Sequence, residues 1–137
     1  MKFYLSKDLG YDRKKRDLAT QFILFCAEML PIEGDFSIHA VSDRKPHGIM
    51  TTAAYLVGEN SCYVYSKNRA LPDVMRSIAH EMTHMMQDEM GLLVGEIRDA
   101  GGFHEDQANA KAGELIKLFA KSKEERKKIY ESKQFKK

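Results

Sequence analysis

The sequence predicts an α+β fold, in which an N-terminal helix packs on a small, mostly antiparallel sheet and two further helices and a basic C-terminal helix follow. Three observations support this prediction. Apolar residues recur at helical spacing in several segments, apolar and polar residues alternate in another, and two segments rich in β-branched and aromatic residues flank a turn. The chain has 137 residues, and we expect residues 1–137 to form a single domain.

The first half of the chain supplies one helix and the strands. Residues 12–30 carry apolar side chains at steps of three and four and end before a proline, which predicts an amphipathic helix. Residues 36–41 alternate as in a half-buried strand. Residues 49–57 and 61–66 are rich in Thr, Tyr, Val and Ile, and Gly58–Asn60 between them has the composition of a turn. We therefore expect these two strands to form an antiparallel hairpin.

The second half of the chain is predicted to be helical. A second helix should open near Pro72 and run to about Met90, before a glycine. A connection that contains three glycines follows, and strong helix formers then predict a third helix over residues 103–120. Residues 123–134 can extend this helix or begin another, and we expect the end of the chain to fray.

Composition limits the classes of protein to which the chain can belong. Its 43% hydrophobic and 31% charged residues are typical of a globular protein, and it lacks the run of about 18–20 apolar residues that a membrane span needs. The N-terminus becomes polar too early for a signal peptide, so we expect a cytoplasmic protein. Cys26 and Cys62 lack CxxC spacing and are expected to pack as small buried hydrophobic residues.

The net charge of +2 is too small to predict a polyanionic partner, but the charge is unevenly distributed. Residues 121–137 hold eight basic and three acidic side chains, a local net charge of +5. We interpret this basic tail as a solvated helix. A contact with nucleic acid or with an acidic partner is the alternative.

One short motif indicates a chemistry. His80 and His84 stand four residues apart in the second predicted helix, so both imidazoles lie on one face and can bind a single metal ion. Glu81 follows the first histidine and can accept a proton from water. This is the HExxH pattern of zinc hydrolases, in which the glutamate is the general base. Core histidines and a surface glutamate are the structural alternative for these three residues taken singly.

Catalytic zinc usually has three protein ligands, so a further ligand must come from elsewhere. A third histidine in the pattern HExxHxxGxxH is excluded by the residues after His84. The start of the third helix offers three candidates, His104, Glu105 and Asp106. Acidic residues are also favoured at a helix N-terminus by the helix dipole, which is the structural alternative for this cluster.

These two helices resemble those of the gluzincin metallopeptidases, and most closely the small ImmA/IrrE-type zincins or minigluzincins. The second helix of those proteins carries a motif E-x-x-A-N-x-x-A, which Glu105, Ala108, Asn109 and Ala112 match here. The resemblance covers about residues 48–120 and implies a zincin-like fold with one Zn²⁺ ion, Glu105 as the third ligand and Asn109 orienting a ligand histidine. The small alanines would also let the two helices approach closely.

The resemblance implies a zinc metalloendopeptidase that acts on polypeptides. The alternative is a zincin-scaffold binding or regulatory protein, of the kind that phages and mobile elements encode, with little turnover. Purely structural zinc with four protein ligands is a third possibility. Lys111 and Gly113 depart from the subfamily pattern and the chain has no recognisable DNA-binding motif, so the repressor-directed role of that subfamily is not expected to transfer.

Two features of the proposed site stay open at this level. The donor to the oxyanion could be His104 or one of the strand tyrosines Tyr55, Tyr63 and Tyr65. The hairpin strand before the HExxH helix would lie along the cleft in a gluzincin and bind an extended peptide, although ordinary hairpin packing is equally compatible with its sequence.

Overall fold

The computed structural model describes residues 2–7, 9–41, 52–93 and 103–131. These ranges contain three α-helices and a four-stranded sheet, so the predicted α+β class is confirmed. In chain order the elements are β1 (Phe3–Leu5), α1 (Arg13–Met29), β2 (Phe36–Val41), β3 (Ala53–Leu56), β4 (Ser61–Tyr65), α2 (Leu71–Glu89) and α3 (Phe103–Ser122), followed by a 3₁₀ helix at Glu124–Glu131.

The sheet is mostly parallel, so the predicted mostly antiparallel sheet is wrong. Its strand order is β1-β2-β4-β3, and both the β1–β2 and the β2–β4 pairs are parallel. The sequence analysis missed β1, whose three residues are too few to show an alternation. Because α1 carries the chain back across the sheet, β1 and β2 run in the same direction. β4 rather than β3 then pairs with β2, which leaves β3 at the edge.

The predicted hairpin is confirmed for β3 and β4, which pair antiparallel. Gly58 and Asn60 have positive φ angles of 84° and 51° in the turn between them, a backbone conformation that glycine and asparagine adopt most readily. Residues 49–51 of the predicted first strand lie outside the described residues.

α2 packs against β3 and β4, and buried side chains from the helices and the sheet form one core. Asp12 caps α1 by accepting a hydrogen bond from the backbone N–H of Lys15 at 2.9 Å. α2 contacts α1, α3, β3 and β4, so it lies at the centre of the fold. The core includes both cysteines, which are buried as expected. Its largest fully buried side chains include Phe22, Ile23, Ile38, Met75, Ile78, Met82, Met85 and Phe119.

α3 ends at Ser122, where the serine hydroxyl donates a hydrogen bond to the carbonyl of Phe119 at 2.6 Å. Such a bond competes with the helix ladder, and a 3₁₀ helix follows instead of the α-helix that the sequence allowed. The predicted glycine-rich connection and the frayed C-terminal end lie outside the described residues. Among the helices of the described ranges, none has the length and hydropathy that a bilayer crossing requires.

Candidate metal centre

α2 and α3 bring two histidines and a glutamate together. His80 and His84 share one face of α2, with ring centroids 4.9 Å apart. Glu105, in the first turn of α3, reaches both rings: Oε1 lies 3.0 Å from His80 Nε2 and Oε2 lies 3.0 Å from His84 Nε2. One ligand atom from each of the three residues lies within 4.8 Å of the others. This group can hold a metal ion.

The spacing and chemistry of these atoms fit a small divalent cation. Ligands about 2.0–2.1 Å from a tetrahedral zinc ion lie about 3.3 Å from one another, so the nitrogen–oxygen distances of 3.0 Å need only a small adjustment. Two imidazole nitrogens and one carboxylate are the donor set of several catalytic zinc sites. Within the described ranges no fourth ligand residue joins the group. Asp106, the weaker ligand candidate, is exposed and is not part of it.

Gln87 fixes the orientation of the His84 ring. Its side chain is fully buried, and its Oε1 lies 2.8 Å from His84 Nδ1. Its Nε2 donates to the backbone carbonyl of His104 at 3.2 Å and to Gln107 Oε1 at 2.7 Å. A backbone carbonyl can only accept, so the amide nitrogen of Gln87 must face it, and Oε1 is left to accept the proton of His84 Nδ1.

This hydrogen bond has a consequence for the metal site. When Nδ1 carries the proton of a neutral imidazole, Nε2 presents its lone pair to Glu105. Two acceptors would then face each other at 3.0 Å, unless the ring gains a second proton or a cation lies between them. A metal ion at this point would satisfy both atoms, as in the usual pairing of a metal-bound histidine with an acceptor at its other nitrogen.

The side chain of Asn109 lies close enough to His80 to affect the pKa of its imidazole. Burial and the nearby His84 lower the pKa of His80, and Glu105 and Asn109 oppose this shift. A neutral imidazole is the form that binds metal. Asn109 thus lies beside His80, which is one of the three candidate ligands.

Glu81 lies next to the three candidate ligands and is itself 8% exposed. Burial raises the pKa of its carboxyl group to about 8, and the negative charge of Glu105 adds to the shift. Its carboxylate makes no hydrogen bond with the described residues, and Glu81 lines the cleft described below.

An open cleft of about 470 Å³ gives access to the centre. One wall is the beginning of the edge strand β3, and the other walls come from α2 and α3. The lining residues are Thr52, Ala53, Arg76, Ser77, His80, Glu81, Glu105, Asn109 and Ala112.

The structure does not bring the candidate oxyanion donors into this cleft. Tyr55 donates its hydroxyl to Asp88 at 2.6 Å, and Tyr63 stacks on His39 with ring centroids 4.9 Å apart. Tyr65 is not among the lining residues either. The ring of His104 also lies outside the cleft, and its buried Nδ1 has no hydrogen-bond partner among the described residues.

Two residues that the sequence analysis did not single out are prominent in the structure. Gln87 follows His84 by three residues and Arg76 precedes His80 by four, so both share the face of the histidines. The sequence did contain a signal for Gln87, because it is a polar residue on a helix face that is otherwise buried. No comparable sequence signal distinguished Arg76 from other surface basic residues.

Comparison with protein-family models, with curated proteins and with solved structures finds no match to this chain. The resemblance to ImmA/IrrE-type zincins therefore depends on the HExxH and E-x-x-A-N-x-x-A motifs and on the site that their residues form.

Proposed function

We propose that the protein is a zinc-dependent metalloendopeptidase. The observation that carries this proposal is the convergence of His80, His84 and Glu105 beside Glu81 in one open cleft. Nitrogen and oxygen donors in this combination favour zinc over magnesium or calcium, which prefer oxygen ligands. Three protein ligands would leave a coordination position for water or substrate.

When bound, the zinc ion would lower the pKa of a water molecule and polarise the carbonyl group of the scissile peptide. The positive charge of a bound cation would oppose the burial and the Glu105 charge that raise the pKa of Glu81, and so favour its carboxylate form. Glu81 would then accept the proton of that water and later return it to the departing amine, which makes it general base and then general acid. Its position in the cleft, with no hydrogen bond to the described residues, suits both steps. Gln87 and Asn109 would hold the ligand histidines in place throughout.

The edge of the sheet supports a polypeptide as the substrate. Within the described ranges β3 pairs only with β4, and Ala53 at its beginning and the preceding Thr52 line the cleft. An extended peptide could add to the free edge of β3 through main-chain hydrogen bonds. The small side chains at this point leave room above the strand.

The metal site is tested by zinc analysis of protein purified without chelators. We expect about one zinc ion per chain and a strong reduction in His84→Ala. His39→Ala is the matched control, because His39 stacks on Tyr63 away from the cleft. Equal zinc contents in the wild type and His84→Ala would contradict the site.

The peptidase activity is tested separately with zinc-loaded protein and a panel of unfolded proteins, with cleavage followed by mass spectrometry. Glu81→Gln should retain zinc and lose activity by roughly 10²–10⁴-fold, the usual contribution of a general base. If the wild type binds zinc but cleaves no member of the panel, the peptidase proposal fails. The alternative of a zincin-scaffold binding protein would then be the better account.

A further inference from the structure

A second groove adjoins the candidate metal cleft and runs along α3. Its volume is about 590 Å³, and Arg76 and Asn109 line both spaces. The groove therefore lies directly beside the cleft, with Arg76 and Asn109 at the boundary between them.

The groove is positively charged. Arg76 on α2 and Lys117 and Lys121 on α3 contribute three cationic side chains. Glu114 is the acidic side chain in its lining, and it already lies 3.5 Å from the ammonium group of Lys111. The three cations make no hydrogen bond or ion pair with any residue in the described ranges. Their charge is available to a ligand.

Arg76 occupies the junction between the groove and the cleft. It stands one helical turn before His80 on the same face of α2. Its guanidinium lies against α3 at Gly113, where a Cβ atom would be 3.7 Å from Nη1. Glycine destabilises the middle of a helix relative to alanine. Here the absence of a side chain leaves the space next to the guanidinium open.

We propose that this groove binds acidic side chains of the polypeptide substrate on one side of the scissile bond, and that Arg76 selects them. A guanidinium can bind a carboxylate through two parallel hydrogen bonds, and the lysines farther along the groove would attract an acidic stretch. The inference rests on the proposed peptidase function, because it names the substrate class of the same cleft. Arg76 acts here as a specificity-determining residue.

The test begins with a cleavage site mapped by mass spectrometry in the unfolded-protein panel. Peptides that contain this site are made in three versions, with Glu, Gln or Lys at the flanking positions. We expect kcat/KM to be at least about tenfold higher for the Glu version than for the Gln version, which corresponds to one charge-assisted hydrogen bond. Arg76→Gln should remove most of this ratio, and Arg76→Glu should favour the Lys version.

Two further variants complete the design. Lys14→Gln removes an exposed positive charge from α1, away from the groove, and should keep the wild-type ratio. The double variant Lys117→Gln/Lys121→Gln alters only exposed side chains and should lower the ratio without affecting folding. A wild-type ratio near one, or a ratio that Arg76→Gln leaves unchanged, would overturn the proposal.

A binding measurement separates this inference from the peptidase proposal. Zinc-loaded Glu81→Gln protein is titrated with fluorescent peptides of glutamate or glutamine, and anisotropy reports binding without turnover. One outcome is that the wild type shows no cleavage, while the glutamate peptide binds more tightly than the glutamine peptide and this difference depends on Arg76. The peptidase proposal then fails, and the proposed binding of acidic side chains in the groove is supported. If cleavage occurs without preference for acidic residues, the proposed binding of acidic side chains in the groove is wrong and the peptidase proposal is supported.

Discussion

His84 Nδ1 lies 2.8 Å from Oε1 of Gln87, inside the interface between α2 and α3. The amide nitrogen of Gln87 is committed to the backbone carbonyl of His104 and to Gln107, so the amide cannot rotate without losing two hydrogen bonds. This network joins a candidate ligand on α2 to the backbone of α3 one residue before Glu105. The network therefore helps to hold together the two helices that carry the candidate ligands.

The first prediction concerns Gln87. Gln87→Leu removes the acceptor for His84 Nδ1 and leaves the ring free to rotate, so we expect zinc affinity to fall by about 10–100-fold. Competition with a chromophoric zinc chelator measures the affinity. Gln107→Ala is the matched control, because Gln107 bonds to the amide nitrogen of Gln87 and not to the oxygen that faces His84. Equal affinities in the wild type and Gln87→Leu would show that this hydrogen bond does not orient a ligand.

The second prediction concerns metal removal. Zinc in the proposed site would relieve the contact between His84 Nε2 and Glu105, so it should stabilise the folded protein. At a free zinc concentration 100 times the dissociation constant, the free energy of unfolding should rise by about 2.7 kcal/mol, which appears as a higher melting temperature. Magnesium should have no such effect, and Glu105→Gln should weaken the response to zinc. A melting temperature that chelator and zinc leave unchanged would contradict a site in the folded state.

Local sequence patterns were sufficient for the longer elements. α1 and α2 begin and end within one or two residues of their predicted bounds, because their apolar spacing extends over several turns and Pro31 and Gly91 follow them. The direction of the strands was not predictable in the same way. It depends on β1, which is three residues long, and on the choice of β4 over β3 as the partner of β2. Neither leaves a periodic signal in the sequence.

In the candidate site, too, some features follow from local sequence and others depend on how the elements pack. Helical geometry alone places His80 and His84 on one face, whatever the rest of the fold does. The surroundings of Gln87 and Arg76 depend instead on which part of α3 lies opposite each of them. The hydrogen bond from Gln87 to the carbonyl of His104 and the position of Gly113 beside Arg76 result from that packing. They cannot be read from a motif.

The third prediction concerns the turn between β3 and β4. Asp88 Oδ2 accepts hydrogen bonds from the Tyr55 hydroxyl at 2.6 Å and from the backbone N–H of Gly58 at 2.7 Å. Burial and this hydrogen bond raise the pKa of Tyr55, so the hydroxyl remains a donor at neutral pH. Asp88→Ala should lower the free energy of unfolding by about 2 kcal/mol, and Tyr55→Phe by about 1 kcal/mol.

Urea denaturation measures these changes, and zinc content should stay constant because neither side chain lines the cleft. Asp17→Ala removes an exposed carboxylate from α1 and should change the stability by less than about 0.5 kcal/mol. An Asp88→Ala effect no larger than that of Asp17→Ala would refute the role of this carboxylate.

The fourth prediction concerns Gly34 and Glu89. The Glu89 carboxylate accepts from the backbone N–H groups of Glu33 and Gly34 at 3.0 and 2.8 Å. A Cβ atom at Gly34 would lie 2.9 Å from Glu89 Oε2, so Gly34→Ala must displace the carboxylate. We expect a loss of about 1 kcal/mol in the free energy of unfolding.

A double-mutant cycle isolates this contact. With Glu89→Ala as the background, Gly34→Ala no longer meets a carboxylate, and the lower entropy of the unfolded chain should make it neutral or stabilising by up to about 1 kcal/mol. A change of sign between the two backgrounds is therefore the expected result. If Gly34→Ala costs the same in both, the backbone at this position, and not the carboxylate, requires glycine.

The fifth prediction concerns the close approach of α2 and α3. Ala108 is fully buried one turn after Glu105, whereas Ala110 on the same helix is exposed. Ala108→Leu must push the helices apart and move Glu105 away from His80 and His84. It should cost about 1–3 kcal/mol of stability and weaken zinc binding as well. Ala110→Leu adds the same side chain on the exposed face of α3 and should change neither the stability nor the zinc affinity. Urea denaturation and chelator competition on both variants test this. Unchanged zinc affinity in a folded Ala108→Leu protein would mean that the three candidate ligands do not depend on the helix separation.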